Sequence, residues 1–494
     1  MNSAFLGYLV NGNKPSTEGL IYLEGSFHER IPPLTIYSCS KIPIFREITL
    51  SASKDALTLV NEGKPESDFK WEGIVGATST SAPASDFPTL KSPHKEVHIL
   101  KIHFYAPRKE GTNAKREEFD REFYSIELNP VLAWQNFILQ MANNPNFEPS
   151  KYKDMSQIPH FRRLLLVFIN PNSGAKQAMK AWDNAKPFLR KCGMTFIEVF
   201  TQGFQYARDY MLKYDAKQLK EIDGIITVSG DGIPHEVING VYARPDWQEF
   251  KDIPIGALPG GSANALTMNQ VTRSKEALNL LSACYLVVKG RTIKSDLTVY
   301  EGLGDSKVYS FLSFVYGNMA RIDIESERFR ALGSARFYVY GVYAIAKLQT
   351  DRARITYTTG SDKLPQLDQE IKGEGWKNID DQFAYLVIQN LAYLDGSSKG
   401  APLAEFDDGY NDLLYVSGSK NSRKSLLNIL LKLEDGLFEG DKPAPSTGLG
   451  FEKIKAFRFE PTSGGYYSID GERYDAKKIQ GYVLEKALTV YATN

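Results

Sequence analysis

Cysteine is scarce: the 494 residues hold only Cys39, Cys192 and Cys284, widely spaced and odd in number. This excludes a disulfide framework and a paired-cysteine zinc site, and fits a reducing compartment. No charge of one sign dominates, since Lys+Arg and Asp+Glu both number 59, so nothing in the balance points to nucleic acid. No apolar run reaches the roughly 18 residues that span a bilayer. The opening MNSAFLGYLVNGNKPS lacks the basic start and long apolar core of a secretory signal. The expectation is a soluble, cytoplasmic protein, at most peripheral to a membrane. Also missing are G-x-x-x-x-G-K-[ST] and the glycine-rich loop with H-R-D, so the two commonest nucleotide-site classes are disfavoured.

What is present is enough chain, at about 150 residues per domain, for two to four domains. Three are expected, over 1–150, 161–289 and 290–494. In the first, GLIYLEGSF, LTIYSCS, REITLSAS, ALTLV, VHILKIHFYA and FYSIEL read as strands. The Gly/Ser/Pro-rich GATSTSAPASDFPTLKSPHK between them reads as a mobile loop. PVLAWQNFILQMANN follows as a helix with Val131, Trp134, Ile138 and Met141 on one face. A strand meander closed by such a helix resembles a pleckstrin-homology module; an unrelated small β domain is the alternative.

From Phe161 the pattern becomes strand, turn, helix. RRLLLVFINPNSG, TFIEVFTQG, DGIITVSGDG and IPIGALPGGSANAL are apolar runs that each end in Gly, Asn, Ser or Thr. Such runs, separated by helices, imply a parallel sheet covered on both faces, a three-layer α/β domain that binds ligand at the carboxyl ends of its strands. After about Lys289 the strands lengthen and helices thin out, which favours a mainly antiparallel β-sandwich domain. The one long helical stretch there, KSLLNILLKLEDGLF, has little polar face and is expected to be buried on most sides or to border an apolar cavity.

Chemistry concentrates at the polar turns. In VSGDGIPHEVINGV, Gly230 and Gly232 permit a sharp turn and close approach to backbone N–H groups, and Pro234 and Glu236 fit a helix start. Such a start attracts phosphate. Asp231 between the glycines is then paradoxical unless a metal intervenes or the carboxylate faces an attacking nucleophile. LPGGSANAL supplies a second glycine turn with Ser262 and Asn264 near a helix start. VFINPNSGAK adds Asn170, Asn172, Ser173 and Gly174, and Thr201 ends the following strand. Each turn alone has an innocent reading as a capped helix or Asp-Gly turn. Further on, Asp323, Glu327 and Arg330 fall at i, i+4 and i+7, one face of a helix or simply a salt-bridged exposed stripe. Asp470 and Glu472, two apart, can face the same way from an extended segment, with an ordinary Asp-Gly hairpin as the alternative.

SGDGIPHEVINGV with RPDW, IPIGALPGGSANAL, FINPNSG, the segment from Gly317 to Phe337, EFDDGYNDLLYV and YYSIDGE together resemble the diacylglycerol-kinase-like lipid kinases, specifically sphingosine kinases, in ordered blocks from about Arg162 to Asn494. The resemblance implies that Asp231 orients and deprotonates the lipid's primary hydroxyl. It implies that Ser229, Gly230, Gly232, Gly261 and Ser262 cradle ATP phosphates, with Asn170, Asn172, Thr201 and Glu236 along the nucleotide. Arg330 and Arg336 would reach the phosphates. Gly471 and Glu472 would fold back to the nucleotide, Asp470 would help hold Mg²⁺, and Asp323 with Glu327 would recognise the head of a sphingoid base. Such a substrate places the protein transiently at a membrane surface. Three positions depart from the family pattern: Asn172 where arginine is common, Ala263 for a usual glycine, and Arg321 where an acidic residue is frequent. The Leu-rich stretch 425–438 and the strand 308–317 are candidate walls for an acyl tail, each burying CH₂ groups at about 0.8 kcal/mol, although both also fit ordinary core. A ceramide or diacylglycerol kinase, or a catalytically weak lipid-binding scaffold, stand as alternatives.

Overall fold

The computed structural model describes residues 34–39, 45–52, 55–61, 64–86, 95–107, 116–125, 128–153, 155–304, 306–332, 335–361, 363–418, 422–462 and 465–493. They group into two compact units, one formed by Met1–Arg163, Lys186–Thr195 and Val287–Arg291, the other by Leu164–Ala185, Phe196–Leu286 and Thr292–Asn494.

The first unit is built on a seven-stranded sheet in the order Lys64–Lys70, Ala56–Asn61, Phe45–Ala52, Leu34–Cys39, Arg116–Ser125, Glu96–Pro107, Ile74–Pro83. Every neighbouring pair is antiparallel. The helix Leu128–Asn143 follows and turns Val131, Trp134, Phe137 and Ile138 inward, as the 3.6-residue period requires. The stretch expected to be a loop from Gly76 is strand as far as Pro83, because it pairs residue by residue with Glu96 to His103 and buries Ala77. Ladder bonds and the β propensity of Thr78 and Thr80 outweigh its loop-like composition. GLIYLEGSF and residues 87–94 lie outside the described residues. Lys289 joins this unit through its ammonium, whose three N–H donors meet the carbonyls of Trp71 (2.7 Å), Ile74 (2.6 Å) and Ala142 (3.0 Å).

In the second unit the strands Arg163–Ile169, Gly224–Ser229 and Ile255–Pro259 pair in parallel, with Met194–Phe200 at the edge. They alternate with helices Gln177–Lys191, Tyr206–Lys213, Gly232–Tyr242 and Ala265–Arg273. The central strand, Gly224–Ser229, is buried along its entire length, which explains why its sequence is a continuous apolar run rather than an alternation. The C-terminal strand Ile479–Tyr491 pairs with Ile255–Pro259 in parallel and with Thr292–Glu301 and Ala456–Pro461 antiparallel. Through it the parallel strands and the antiparallel strands after residue 290 join one 15-stranded sheet. The sheet therefore runs across residue 290, where the sequence pattern suggested a boundary.

The helix in the Leu-rich stretch is shorter than its sequence suggested, Ser422–Lys432. It is not buried on most sides: Leu426 and Ile429 point inward, while Leu431 is 72% exposed.

Candidate functional site: a cavity at the carboxyl ends of the parallel strands

The four polar turns meet on one edge of the second unit. Asn170 to Gly174, Thr201 to Phe204, Ser229 to Ile233, and Ser262 with Ala263 line one cavity of about 510 Å³, a volume suited to a small-molecule ligand. Its other walls come from Leu312, Ser313 and Val315, from Met319, Ile322 and Asp323, from Arg336 to Tyr338, from Leu394, Asp395 and Ser398, from Leu430 and Leu433, and from Asp470 to Glu472.

Backbone N–H groups tie the turns to one another and brace the first of them internally. Gly230 N–H donates to Ser173 Oγ at 3.2 Å, Gly260 N–H to Ser229 O at 3.1 Å, and Asn170 Oδ1 accepts from Asn172 N–H at 3.0 Å. Gly261 does not line the cavity. A Cβ on it would lie 2.3 Å from Gly230 Cα and N, so its contribution is to let two glycine turns touch. Asn264 does not cap its helix by side chain: it stands in the left-handed region at φ 57. Its Oδ1 accepts from Gly260 and Gly261 N–H at 3.2 and 3.0 Å instead.

The cap comes from Asp231. Its two carboxylate oxygens accept from Ala265 N–H at 2.8 Å and Leu266 N–H at 3.0 Å, so the helix Ala265–Arg273 starts on an aspartate from a different turn. The same bonds aim Asp231 across the cavity. Burial pushes its carboxyl from the usual 3.8 up to about 6, against the two N–H groups and helped by Asp470 and Asp395. Its own helix, Gly232–Tyr242, has no side-chain cap.

Glu236 lines the cavity but spends its carboxylate on Gln205 N–H (3.0 Å) and Ala207 N–H (2.9 Å), which fixes the turn after Thr201. Burial also holds its carboxyl above the usual range. Asp323 accepts from Ser468 Oγ at 2.6 Å. Arg321 faces Asp351 in a bidentate pair at 2.6 and 2.9 Å, so this departure from the family pattern adds no cation to the cavity. The helix bearing Asp323 ends at Glu325, and a tighter 3₁₀ segment, Ser326–Leu332, follows with a kink at Phe329. The α-helical face expected to align Asp323 with Glu327 and Arg330 is therefore interrupted. The side chains of Glu327 and Arg330 lie outside the described residues. Arg336 is buried and lines the cavity.

Asp470 is not available to a metal. It and Gly471, at φ 50 and 88, form the two-residue turn of a hairpin whose strands are Tyr466–Ile469 and Glu472–Asp475. Its Oδ1 accepts from Ser310 Oγ (2.6 Å), Leu312 N–H (3.1 Å) and Ser313 N–H (2.9 Å). Its Oδ2 accepts from Phe311 N–H (3.1 Å) and His235 Nδ1 (2.9 Å). An ionised carboxylate offers about four lone-pair positions, and all are taken. Among the described residues no group of three His, Cys, Asp or Glu is arranged to hold a metal. The turn also parts the two carboxylates, and of the pair Glu472 lines the cavity without such a lock among the described residues.

Asp395 and Phe204 are among the cavity residues that the sequence did not mark. Asp395 sits in YLDGSS, which reads as an ordinary turn, and its carboxylate does hold the N–H groups of Ser397 and Ser398 at 2.7 Å. Phe204, 73% exposed in the turn after Thr201, had no periodicity to mark it.

The lining combines the carboxyl-edge turns and their carboxylates with the apolar Val315, Met319, Ile322, Phe337, Leu430 and Leu433. The diacylglycerol kinase catalytic domain matches residues 164–300. Sphingosine kinase 1 of Mus musculus is 30% identical over 345 residues, 65% of this chain and 88% of the relative. Sphingoid long chain base kinase 4 of Schizosaccharomyces pombe is 30% identical over 351 residues, 66% of this chain and 74% of the relative. Sphingosine kinase 1 of Arabidopsis thaliana is 31% identical over 322 residues, 60% of this chain, and the match spans 64% of that relative's length. Matched along 88% of the mouse relative, and with Asp231, the glycine turns and apolar side chains lining one cavity, the chain belongs to the sphingosine kinase family of diacylglycerol-kinase-like lipid kinases.

Proposed function

We propose that the protein transfers the γ-phosphate of Mg·ATP to the primary hydroxyl of a sphingoid base. The observation that carries this reading is the position of Asp231, buried between the glycine turns and the apolar pocket, with two of its roughly four lone-pair positions engaged. The hydroxyl oxygen forms the new bond to Pγ, the bond from Pγ to the β-phosphate bridging oxygen breaks, and ADP leaves. The hydroxyl proton passes to Asp231. A carboxyl at about 6 is mostly ionised at pH 7 yet more basic than an ordinary aspartate. Because phosphoryl transfer has a loose transition state, orientation of the hydroxyl matters more than early proton removal.

The Gly230–Gly232 and Ser262 turns would bind the phosphates through N–H groups, with Arg336 adding positive charge. Magnesium usually takes one or two carboxylates together with phosphate oxygens. Glu472 fits that need, since burial and the neighbouring carboxylates Glu236 and Asp323 hold its carboxyl above the usual range and favour a cation nearby. The metal would offset phosphate charge. Asp323 would meet the substrate ammonium, which diacylglycerol and N-acylated ceramide lack, and the apolar end would take the chain.

Contact with a membrane belongs to the same proposal, as does a cytoplasmic setting. Val339, Val342 and Tyr343 are exposed on the helix Ala335–Lys347, which also supplies Arg336 and Phe337 to the cavity. Leu427 and Leu431 are exposed on the helix Ser422–Lys432, packed beside it where Gly341 meets Leu430. These apolar side chains flank the tail pocket, as a lipid entering from a bilayer needs. The pleckstrin-homology likeness of the first unit stays part of the proposal, supported by an antiparallel sheet followed by one helix.

The test is labelled ATP with sphingosine, dihydrosphingosine, ceramide and diacylglycerol. Label in the two sphingoid bases is expected. Label only in ceramide or diacylglycerol, or in none under any detergent condition, overturns the reading.

A further inference from the structure

His235 lies one turn after Asp231 on the helix Gly232–Tyr242, fully inside the protein, and the proposed reaction makes no use of it. Its Nδ1 donates to Asp470 Oδ2 at 2.9 Å, which fixes the tautomer. Asn239, one turn further along, donates to His235 O at 2.9 Å and to Tyr309 O at 2.8 Å, so the helix is pinned to the same strand region from a second point.

Three elements converge on this pair. The Asp231 helix contributes His235, the segment 310–313 contributes its hydroxyl and N–H donors, and the hairpin turn contributes Asp470 itself. Asp470 N–H returns a bond to Ser313 O at 2.9 Å. Each of the three elements also presents residues to the cavity: Asp231, Ser313 and Glu472. Glu472 Oε1 lies 3.5 Å from where a Cβ on Gly232 would be, directly over the start of the Asp231 helix.

We infer that His235 and Asp470 are positioning residues that latch the 470–472 turn onto the Asp231 helix, so that Gly471 and Glu472 close the phosphate end of the cavity. The inference rests on the reading that phosphates bind at those turns. The His235–Asp470 bond itself involves neither Asp323 nor an apolar wall residue, so its loss acts on ATP and leaves the lipid end alone.

The amide nitrogen of asparagine occupies nearly the place of histidine Nδ1, and that of glutamine the place of Nε2. His235→Asn therefore keeps the donor to Asp470 and His235→Gln loses it. With a fluorescent ATP analogue and no lipid present, His235→Gln is expected to weaken binding tenfold or more, and His235→Asn threefold or less. In turnover, His235→Gln raises KM for ATP and leaves KM for sphingosine unchanged. His235→Gln combined with Asp470→Asn is expected to be no worse than Asp470→Asn alone. Should Asp470→Asn fail to fold, the two His235 variants decide. Equal losses in both His235 variants, or parallel losses for ATP and lipid, overturn the latch and leave an ordinary core contact. A protein that binds the ATP analogue but phosphorylates no sphingoid base contradicts the proposed substrate without touching the latch. One that binds no ATP analogue overturns both.

Discussion

The turn at Asp470-Gly471 passes both residues through positive φ and closes a hairpin, whereas Asp231 keeps a right-handed φ of −74 and opens a helix. The dipeptide is the same and both aspartates are buried at one cavity. They differ in donors received. Asp470 takes bonds from Ser310, Phe311, Leu312, Ser313 and His235, which fill a carboxylate's lone pairs, while among the described residues Asp231 takes them from Ala265 and Leu266. A buried carboxylate becomes structural when its neighbours saturate it and chemical when they aim it and leave it acceptor capacity. Motif matching alone does not separate the two cases; counting donors does.

The largest effect is expected at the unsaturated member. Asp231→Asn should lower phosphate transfer by about 10²–10⁴-fold, the usual contribution of a positioned acid or base, in an assay of labelled lipid. The next tests the far side of the cavity. Asp323→Ala removes a charged partner worth about 1.5–3 kcal/mol, so kcat/KM for sphingosine should fall about 10- to 150-fold and selectivity over diacylglycerol should fall with it. The pH profile then sharpens the comparison. Asp231 accepts a proton only when ionised, so transfer should rise with pH through about 6 and level off above it. Below that point it should drop about tenfold per pH unit. A profile that stays flat down to pH 4.5 would contradict the assignment. The smallest effect belongs to the exposed helices. Val342→Ser and Leu431→Ser should each reduce activity on vesicle-borne substrate by about 3- to 10-fold, in line with the loss of one or two buried CH₂ groups, and leave activity on detergent-dispersed substrate unchanged.

Much of this site can be read from the chain. Apolar runs that end in Asn, Gly, Ser or Thr identify strands whose carboxyl ends share an edge, and Asn170, Thr201, Ser229, Asp231 and Ser262 do meet there. The tail walls were half legible: Leu430, Leu433, Leu312 and Val315 line the cavity, but the same helix exposes Leu427 and Leu431. What failed was anything set by backbone sign or by distant donors. Asp470 and Glu472 look paired at a spacing of two, yet positive φ at Asp470 and Gly471 turns the chain between them. The alignment of Asp323 with Glu327 and Arg330 assumed a helix that stops at Glu325. Nothing local shows that Asp231 caps the helix beginning at Ala265, since the two are separated by two helices and a strand. Asp395 gave no signal beyond a turn.

The central claim is a division of labour: glycine turns hold the donor, and Asp231 faces the acceptor hydroxyl. It is tested most directly by measuring ATP-analogue affinity and single-turnover transfer to sphingosine on the same preparation of Asp231→Asn. The account predicts nucleotide affinity within about twofold of wild type together with loss of nearly all transfer, about 10²-fold or more. Full transfer by the variant, or nucleotide affinity lost in step with transfer, would contradict it.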